Sequence, residues 1–147
     1  MKELLIKLDA CDPAMEWVGD KSWEEVYNTC HRGDWLLWLH NRTNQEDLQI
    51  RTLSKGHCAN TVRHLMKNER SLKAVSAAIA FGEGRATKDE LSATALAIYE
   101  AYAAYATRVK NQKETANIVR KYIPIELWNT QKMIDELKIE KEVNNGN

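Results

Sequence analysis

The stretch RGDWLLWLHNR, residues 32–42, places two of the chain's five tryptophans and three leucines between charged ends. On an α-helix, Trp35, Trp38 and Leu39 are separated by three and four positions, so they share a face. Leu36 covers another side, which makes the segment apolar nearly all round. Such a helix is normally enclosed by other helices. The stretch therefore predicts a helical bundle in which Trp35 and Trp38 are core anchors. The alternative is that they form an exposed surface for a partner.

Helix start and stop signals recur on both sides of this stretch. Ser22 and Glu25 have the spacing of a capping box, in which each side chain binds the other residue's backbone N–H. Thr87 and Glu90 repeat that spacing. The other predicted boundaries are N-caps at Asp12, Asp34 and Asn44, stops at Gly19, Gly33 and Gly82 or Gly84, a helix end near Met66, and a restart at Pro124.

The predicted fold is an all-α, single-domain bundle of about six or seven helices. A length of 147 residues suits one domain, and only two prolines and six glycines interrupt the helical signals. A long helix rich in alanine and tyrosine is expected near residues 88–121. Trp17 and Tyr102 are expected to join the core. The domain should span residues 1–141, followed by a frayed tail at 142–147.

The net charge is zero, so no global field favours nucleic acid or a membrane surface. No apolar run approaches the length of a membrane span. Three cysteines form an odd set without tight spacing, which is typical of reduced thiols in a cytoplasmic protein. These features predict a cytoplasmic protein without a membrane partner.

Acidic side chains are concentrated near the start of the chain. Residues 1–34 hold eight acidic and four basic side chains, a net charge of −4. An inhibitor that imitates phosphate towards a basic cleft needs such clustered carboxylates. Glu24 and Glu25 have a simpler alternative role, which is to cap a helix and favour its dipole. The candidate partner-binding residues are Asp12, Glu16, Asp20, Glu24 and Glu25.

Two later segments are basic. Residues 42–73 and 108–121 together carry a net charge of +8. A solvated charged face is the simpler interpretation, because no aromatic residues alternate with these cations as they do in single-strand binding proteins. A helical nucleic-acid-binding surface remains the alternative hypothesis. Its candidate residues are Arg51, Lys55, Arg63, Lys110 and Lys113.

No catalytic or metal-binding arrangement is evident. His31 adjoins Cys30 and His57 adjoins Cys58, but adjacent helical residues point about 100° apart and chelate poorly. His40 and His64 are expected at the edges of amphipathic helices. Each cysteine is expected to be a small buried hydrophobe, although a cysteine–histidine dyad formed in space stays open. We therefore expect no metal, no cofactor and no enzymatic activity.

Three segments resemble a family of small bacterial and phage proteins, the immunity proteins of polymorphic toxin systems. They are ACDPAMEWVGDKSWEEVYNTCHRGDWLLWL (residues 10–39), LKAVSAAIAFGEGRATKDEL (72–91) and ANIVRKYIP (116–124). The resemblance covers most of residues 4–126. It implies an all-helical protein that binds and neutralises a toxic enzyme. A phage-borne relative would instead inhibit a host defence enzyme, which is an anti-defence role of the anti-CRISPR kind.

Overall fold

The structure is a computed structural model that describes residues 1–92 and 109–146, and every element in these ranges is helical. The all-α, single-domain bundle is confirmed. The described elements are α1 (Lys2–Lys7), α2 (Asp12–Val18), α3 (Trp23–Thr29), α4 (Gly33–Thr43), α5 (Leu48–Asn60), α6 (Glu69–Gly82), α7 (Lys88–Ser92), α8 (Val109–Tyr122) and α9 (Thr130–Asn145), with short 3-10 helices at Arg63–Leu65 and Ile125–Leu127.

The described residues include one helix, α1, that was not among the expected six or seven. No cap or stop signal marks the ends of α1, so that helix was not predicted. The predicted long helix at 88–121 is represented by α7 and α8, and its middle, with Tyr102, lies outside the described residues. The predicted frayed tail at 142–147 is helical through Asn145, and the side chains of 142–146 are exposed.

Both predicted capping boxes, each of which depends on only four consecutive residues, are confirmed, and so is the helix stop at Gly19. The Ser22 hydroxyl accepts from the Glu25 backbone N–H at 3.2 Å, and the Glu25 carboxylate accepts from the Ser22 N–H at 2.7 Å. Thr87 and Glu90 form the second capping box in the same way. Gly19 ends α2 with a positive φ of 48°, a conformation that favours glycine.

The predicted N-caps at Asp12, Asp34 and Asn44 are wrong. Cys11 takes the N-cap position of α2, and Asp12 is the first helical residue, where its charge still suits the helix dipole. The Asp34 carboxylate binds the guanidinium of Arg32 instead of a backbone N–H. Asn44 follows the C-terminus of α4 and is buried, whereas Asp47 precedes α5.

Three other predicted helix boundaries also differ from the structure. Gly33 begins α4 instead of ending α3, because the chain is already extended at Cys30. Helix α5 ends at Asn60, before the predicted Met66, and a 3-10 turn follows. Pro124 introduces a 3-10 turn, and Trp128 is extended before the last helix begins at Thr130.

The core consists mainly of leucines of α4 and of two tryptophans from other parts of the chain. Leu36, Leu37 and Leu39 are almost fully buried, as are Trp23 and Trp128. The expected core anchors Trp17, Trp35 and Trp38 pack against this core but are only half-buried. The buried face of α4 is therefore rotated by about one residue from the face that the sequence predicts.

Helices α3 and α8 are joined by reciprocal hydrogen bonds. The Tyr27 hydroxyl lies 3.2 Å from the carbonyl oxygen of Arg120 and 3.1 Å from that of Ile123. In return, the Arg120 guanidinium donates to the carbonyl oxygens of Tyr27 at 3.1 Å and Cys30 at 2.8 Å. These bonds satisfy carbonyls that the end of α3 leaves without helical partners.

Two helix pairs approach so closely that only glycine fits at the contact. A Cβ added at Gly33 would lie 2.5 Å from the Thr115 hydroxyl and 2.6 Å from the Thr115 carbonyl carbon. A Cβ at Gly56 would lie 2.9 Å from the Ile79 side chain. Gly33 thus sets the spacing between α4 and α8. Gly56 sets the spacing between α5 and α6 together with Gly82 of α6, where an added Cβ would lie 2.6 Å from the Leu53 Cα.

Replacing Gly33 by alanine is expected to lower the free energy of unfolding by about 1–3 kcal/mol, because the added methyl meets backbone atoms that have little room to move. Urea unfolding followed by far-ultraviolet circular dichroism measures this. Gly146→Ala is the control, since its Cβ would lie 3.3 Å from the Glu142 carbonyl oxygen at an exposed helix end. Equal stability of the two variants would contradict the proposed close approach.

A buried polar junction connects α4, α5 and the segment before α9. The Asn44 side chain donates to the Leu127 carbonyl at 3.0 Å and accepts from the Asn129 N–H at 3.1 Å. Arg51 is buried and donates to the Asn44 carbonyl at 2.7 Å. His40, predicted at a helix edge, is fully buried against the Trp128 ring.

The His40 imidazole is held in its neutral form. Neither ring nitrogen makes a hydrogen bond of standard geometry with the described residues. Burial lowers the pKa of His40 from 6.5 to about 4, and the nearby Arg51 cation acts in the same direction. Asp47, whose carboxylate lies 3.9 Å from Nε2, and the Leu127 carbonyl oppose that shift in pKa.

The His40 contribution to stability should be complete above pH 6.5 and should be lost as the pH falls towards 4. In this window the unfolded chain binds the proton and the folded chain does not, so acid favours unfolding. The loss is roughly 3 kcal/mol, from about 1.4 kcal/mol per pKa unit. Urea unfolding between pH 7 and pH 4 should show a shallower pH dependence in His40→Phe. The same change at exposed His64 is the control, and identical curves for wild type and His40→Phe would contradict the assignment.

Candidate functional site

The predicted acidic residues all reach the surface. We call Asp12, Glu16, Asp20, Glu24 and Glu25 the acidic surface, and each of them is exposed. Asp12 and Glu16 lie one turn apart on α2, so they share a face. Asp20 follows the turn at Gly19, and the remaining two stand in the first turn of α3. The α2–α3 segment therefore displays these carboxylates together.

One member of the acidic surface has a structural role. Glu25 accepts the Ser22 backbone N–H, and this hydrogen bond lowers the pKa of its carboxyl group. Asp12, Glu16, Asp20 and Glu24 form no ion pair with the described residues. Some other exposed carboxylates form such pairs with lysine or arginine, as in Glu3–Lys141, Glu69–Lys73, Glu83–Arg85 and Glu140–Lys7. Others, such as Glu46, Glu114 and Glu126, also have no ion pair with the described residues, so the acidic surface is distinguished by the grouping of its carboxylates.

A groove of about 460 Å³ borders the acidic surface at Asp20. It lies between α1, the turn after α2, and α9. Its apolar lining includes Leu4, Ile134 and Leu137, and charged side chains surround it. The sequence did not predict this groove, because it depends on the packing of the first described helix against the last.

Three aromatic rings form a cluster at the surface near the acidic surface. The ring centroids of Trp17 and Trp35 lie 6.2 Å apart, and that of His31 lies 5.8 Å from Trp17 and 6.1 Å from Trp35. Lys21 Nζ lies 4.8 Å from the Trp17 centroid, and the Arg32 guanidinium lies 4.6 Å from the Trp35 centroid. We call Trp17, His31 and Trp35 the aromatic cluster.

The sequence favoured a core role for Trp17 and Trp35 over an exposed one, so it did not predict this cluster. A signal was nevertheless present. Lys21 follows Trp17 by four residues, and residues at this spacing lie on the same side of a helical turn, so the cation can reach the indole. Arg32 precedes Trp35 by three residues. Because the charged head of a lysine or arginine stays in water, a cation at such spacing favours an indole that lies near the surface.

The predicted basic surface is not assembled as expected. Arg51 is buried in the polar junction, so it is wrong as a surface residue. Lys55 is half-buried, and burial lowers the pKa of its ammonium group. Arg63 donates to the Ser76 hydroxyl at 3.0 Å. Lys113 is exposed, and the side chain of Lys110 lies outside the described residues.

The thiols differ in environment. Cys30 and Cys58 are buried as predicted, and burial raises the pKa of Cys58 to about 12. The prediction for Cys11 is wrong: it is exposed, because it caps α2 instead of lying within a helix. His57 stacks on Tyr122 with centroids 4.4 Å apart. Within residues 1–92 and 109–146, no three histidine, cysteine or carboxylate side chains are placed to share a metal ion.

No family model, curated protein or solved structure matches the chain. The resemblance to immunity proteins therefore stays a prediction. In the part of the chain that the structure describes, no helix has the length and apolar character needed to cross a bilayer.

Thiol labelling should distinguish the three cysteines. In the native chain at pH 8, a disulfide reagent such as Ellman's reagent should react rapidly with one thiol, Cys11, and slowly with Cys30 and Cys58. The reason is that the buried thiols are shielded from the reagent and have raised pKa values. All three should react after denaturation. Cys11→Ser supplies the matched control, and rapid native labelling of that variant would contradict the assignment.

Proposed function

We propose that this chain is a non-enzymatic, protein-binding inhibitor of the immunity type, which neutralises a toxin or a defence enzyme by covering its active cleft. One observation carries the proposal. Four exposed carboxylates on the α2–α3 segment have no cationic partner among the described residues, although the chain as a whole is neutral. Such a surface is free to meet a partner's positive charge. The four residues are Asp12, Glu16, Asp20 and Glu24.

A basic cleft is the natural complement of this surface. Enzymes that act on nucleic acids bind phosphate with lysine and arginine, and carboxylates placed at a similar density compete for those groups. Attraction between opposite charges also accelerates encounter, and salt weakens it. The expected signature is fast association that slows as the ionic strength rises.

Two neighbouring features support a protein partner. The aromatic cluster provides indole rings, which are enriched at the centres of protein interfaces. The groove at Asp20 provides apolar lining in which a side chain of a partner could be enclosed. Carboxylates alone would give speed and selectivity, and buried apolar contacts would add affinity.

The nucleic-acid hypothesis has less support. It needed five cations on a common surface, but Arg51 is buried, Lys55 is half-buried and Arg63 is bound to Ser76. An anti-defence inhibitor carried by a phage would use the same acidic surface against another enzyme. The free thiols of Cys11, Cys30 and Cys58 fit action in the cytoplasm. Pull-down from the source cell identifies which enzyme is bound.

Reversing Glu16, Asp20 and Glu24 to lysine is expected to slow association with the identified basic partner by about tenfold at low salt and to flatten its salt dependence. Stopped-flow or surface-based kinetics at several salt concentrations measure both effects. The matched control reverses Glu46, Glu114 and Glu126, which are exposed carboxylates elsewhere on the chain. Its change in net charge is the same.

Comparing the association rates of the two variants distinguishes an effect of the acidic surface from an effect of net charge. If both slow association equally, the partner senses only net charge and the acidic surface is not the binding site. Unchanged kinetics in the Glu16, Asp20 and Glu24 variant would reject the acidic surface. Circular dichroism should show that both variants keep the wild-type helical content, because the altered side chains are exposed.

A further inference from the structure

We propose that the buried polar junction contains an acid-sensitive latch, in which protonation of His40 releases the turn between α4 and α5 (residues 44–47) from residues 127–129 while the helices stay folded. The inference does not depend on the proposed function. It also differs from the loss of overall stability in acid, because it assigns the response to one local opening that occurs without unfolding of the bundle.

His40 lies in a site that is closed to water. Its side chain is fully buried, and the Trp128 ring covers it edge to face with centroids 4.8 Å apart. Neither ring nitrogen makes a hydrogen bond of standard geometry with the described residues. An imidazolium here would be a buried charge without a bonded partner, which is strongly unfavourable. The closed junction therefore rejects the proton.

The charged groups that face His40 lie at the start of α5. Arg51 is buried and repels a second cation, whereas the Asp47 carboxylate, 3.9 Å from Nε2, attracts it. The opposite wall of the site consists of the uncharged Leu127 carbonyl and the Trp128 ring. Burial and Arg51 outweigh Asp47, since together these groups lower the pKa of His40 to about 4.

A small set of hydrogen bonds holds the turn against residues 127–129. The Asn44 side chain donates to the Leu127 carbonyl at 3.0 Å and accepts from the Asn129 N–H at 3.1 Å. The Asn129 side chain donates to the Thr43 carbonyl at 3.2 Å. Residues 45–47 are exposed. Few contacts and exposed side chains are features of segments that open locally, so the turn can leave when these bonds break.

Arg51 transmits the charge of His40 to the turn. Its guanidinium donates to the Asn44 carbonyl at 2.7 Å and to the Gln45 carbonyl at 3.3 Å. A proton on His40 places a second cation near this guanidinium, at a buried site where water screens the repulsion weakly. Because Arg51 is bonded to the turn, the repulsion is relieved when the turn and the guanidinium move together towards water.

The opposite wall of the site is anchored to other helices. The Trp128 indole N–H donates to the Ile123 carbonyl at 2.9 Å, and its ring packs against Trp23 and Tyr27 at centroid distances of 5.1 and 6.0 Å. Tyr27 is the titratable group of α3 on that side, and burial raises the pKa of its hydroxyl, so it stays neutral in acid. The turn, and not the Trp128 segment, is therefore the part that moves.

The test is amide hydrogen exchange of the full chain, measured by NMR between pH 7 and pH 5 and corrected for the intrinsic dependence of exchange on pH. The Asn129 N–H, which binds the Asn44 side chain, reports the opening. If His40 has its ordinary pKa of 6.5 in the open turn and about 4 in the closed one, the opening constant rises about 20-fold over this range. An Asn129 opening constant that does not change would overturn the proposal.

Urea distinguishes the local opening from unfolding, because only an opening that exposes much surface depends steeply on urea. Exchange of the Asn129 N–H should be nearly independent of low urea concentrations. The N–H of buried Ile123, bound to the Val119 carbonyl at 2.8 Å, should exchange more slowly and should depend on urea. One opening constant and one urea dependence for both amides would mean that acid acts through unfolding alone, and the latch would be rejected.

Three variants identify the group that binds the proton. His40→Phe fills the same apolar site without a basic nitrogen and should reduce the change in Asn129 opening to less than about twofold. His64→Phe is the matched control, since His64 is exposed, and it should keep the full change. Asp47→Asn should also keep it. A pH-independent opening in that variant would assign the response to the Asp47 carboxyl group and overturn the proposal.

The unaltered chain decides the question even where His40→Phe does not fold. The NMR signals of the His40 ring should change little between pH 7 and pH 5, whereas those of free imidazole in the same sample shift. Titration of His40 near its ordinary pKa of 6.5, without a rise in the Asn129 opening constant, would show that the closed junction accepts the proton. That result would also overturn the proposal.

Discussion

The close crossing of α8 with α4, together with the hydrogen bonds that join α3 to α8, is the constraint on which the rest of the structure depends. Because Gly33 has no Cβ, the backbone of α4 lies so close to Thr115 of α8 that no methyl group would fit between them. Arg120 then reaches the carbonyl oxygens of Tyr27 and Cys30. The chain between α3 and α4 is therefore held at both ends, which fixes His31 and its neighbours on the surface.

This constraint separates interior from surface on the first four helices. Once α8 and Trp128 cover the inner faces of α3 and α4, the carboxylates of α2 and of the first turn of α3 are left outside. The half-buried tryptophans lie at the border between the two regions. Charge and aromatic area thus occur side by side on one segment, a combination that suits a protein interface better than a catalytic pocket.

The sequence predicted what short-range chemistry determines and missed what distant contacts determine. Both capping boxes and the stop at Gly19 depend on neighbouring residues and were correct. The roles of Asn44 and Arg51 depend on Leu127 and on the Asn44 carbonyl, which a linear pattern does not reveal. The acidic side chains were correctly placed outside, because charge without a partner stays in water. Predicting the aromatic cluster would have required the relative positions of α2 and α4 in three dimensions.

The central claim is that the α2–α3 segment and the start of α4 form the partner-binding surface. Amide hydrogen exchange of the chain, free and bound to the partner recovered from its source cell, tests this claim most directly. The account predicts that binding slows exchange within residues 12–35 and leaves the other described regions nearly unchanged. Slowed exchange at residues 51–67 and 109–121, with residues 12–35 unaffected, would contradict it.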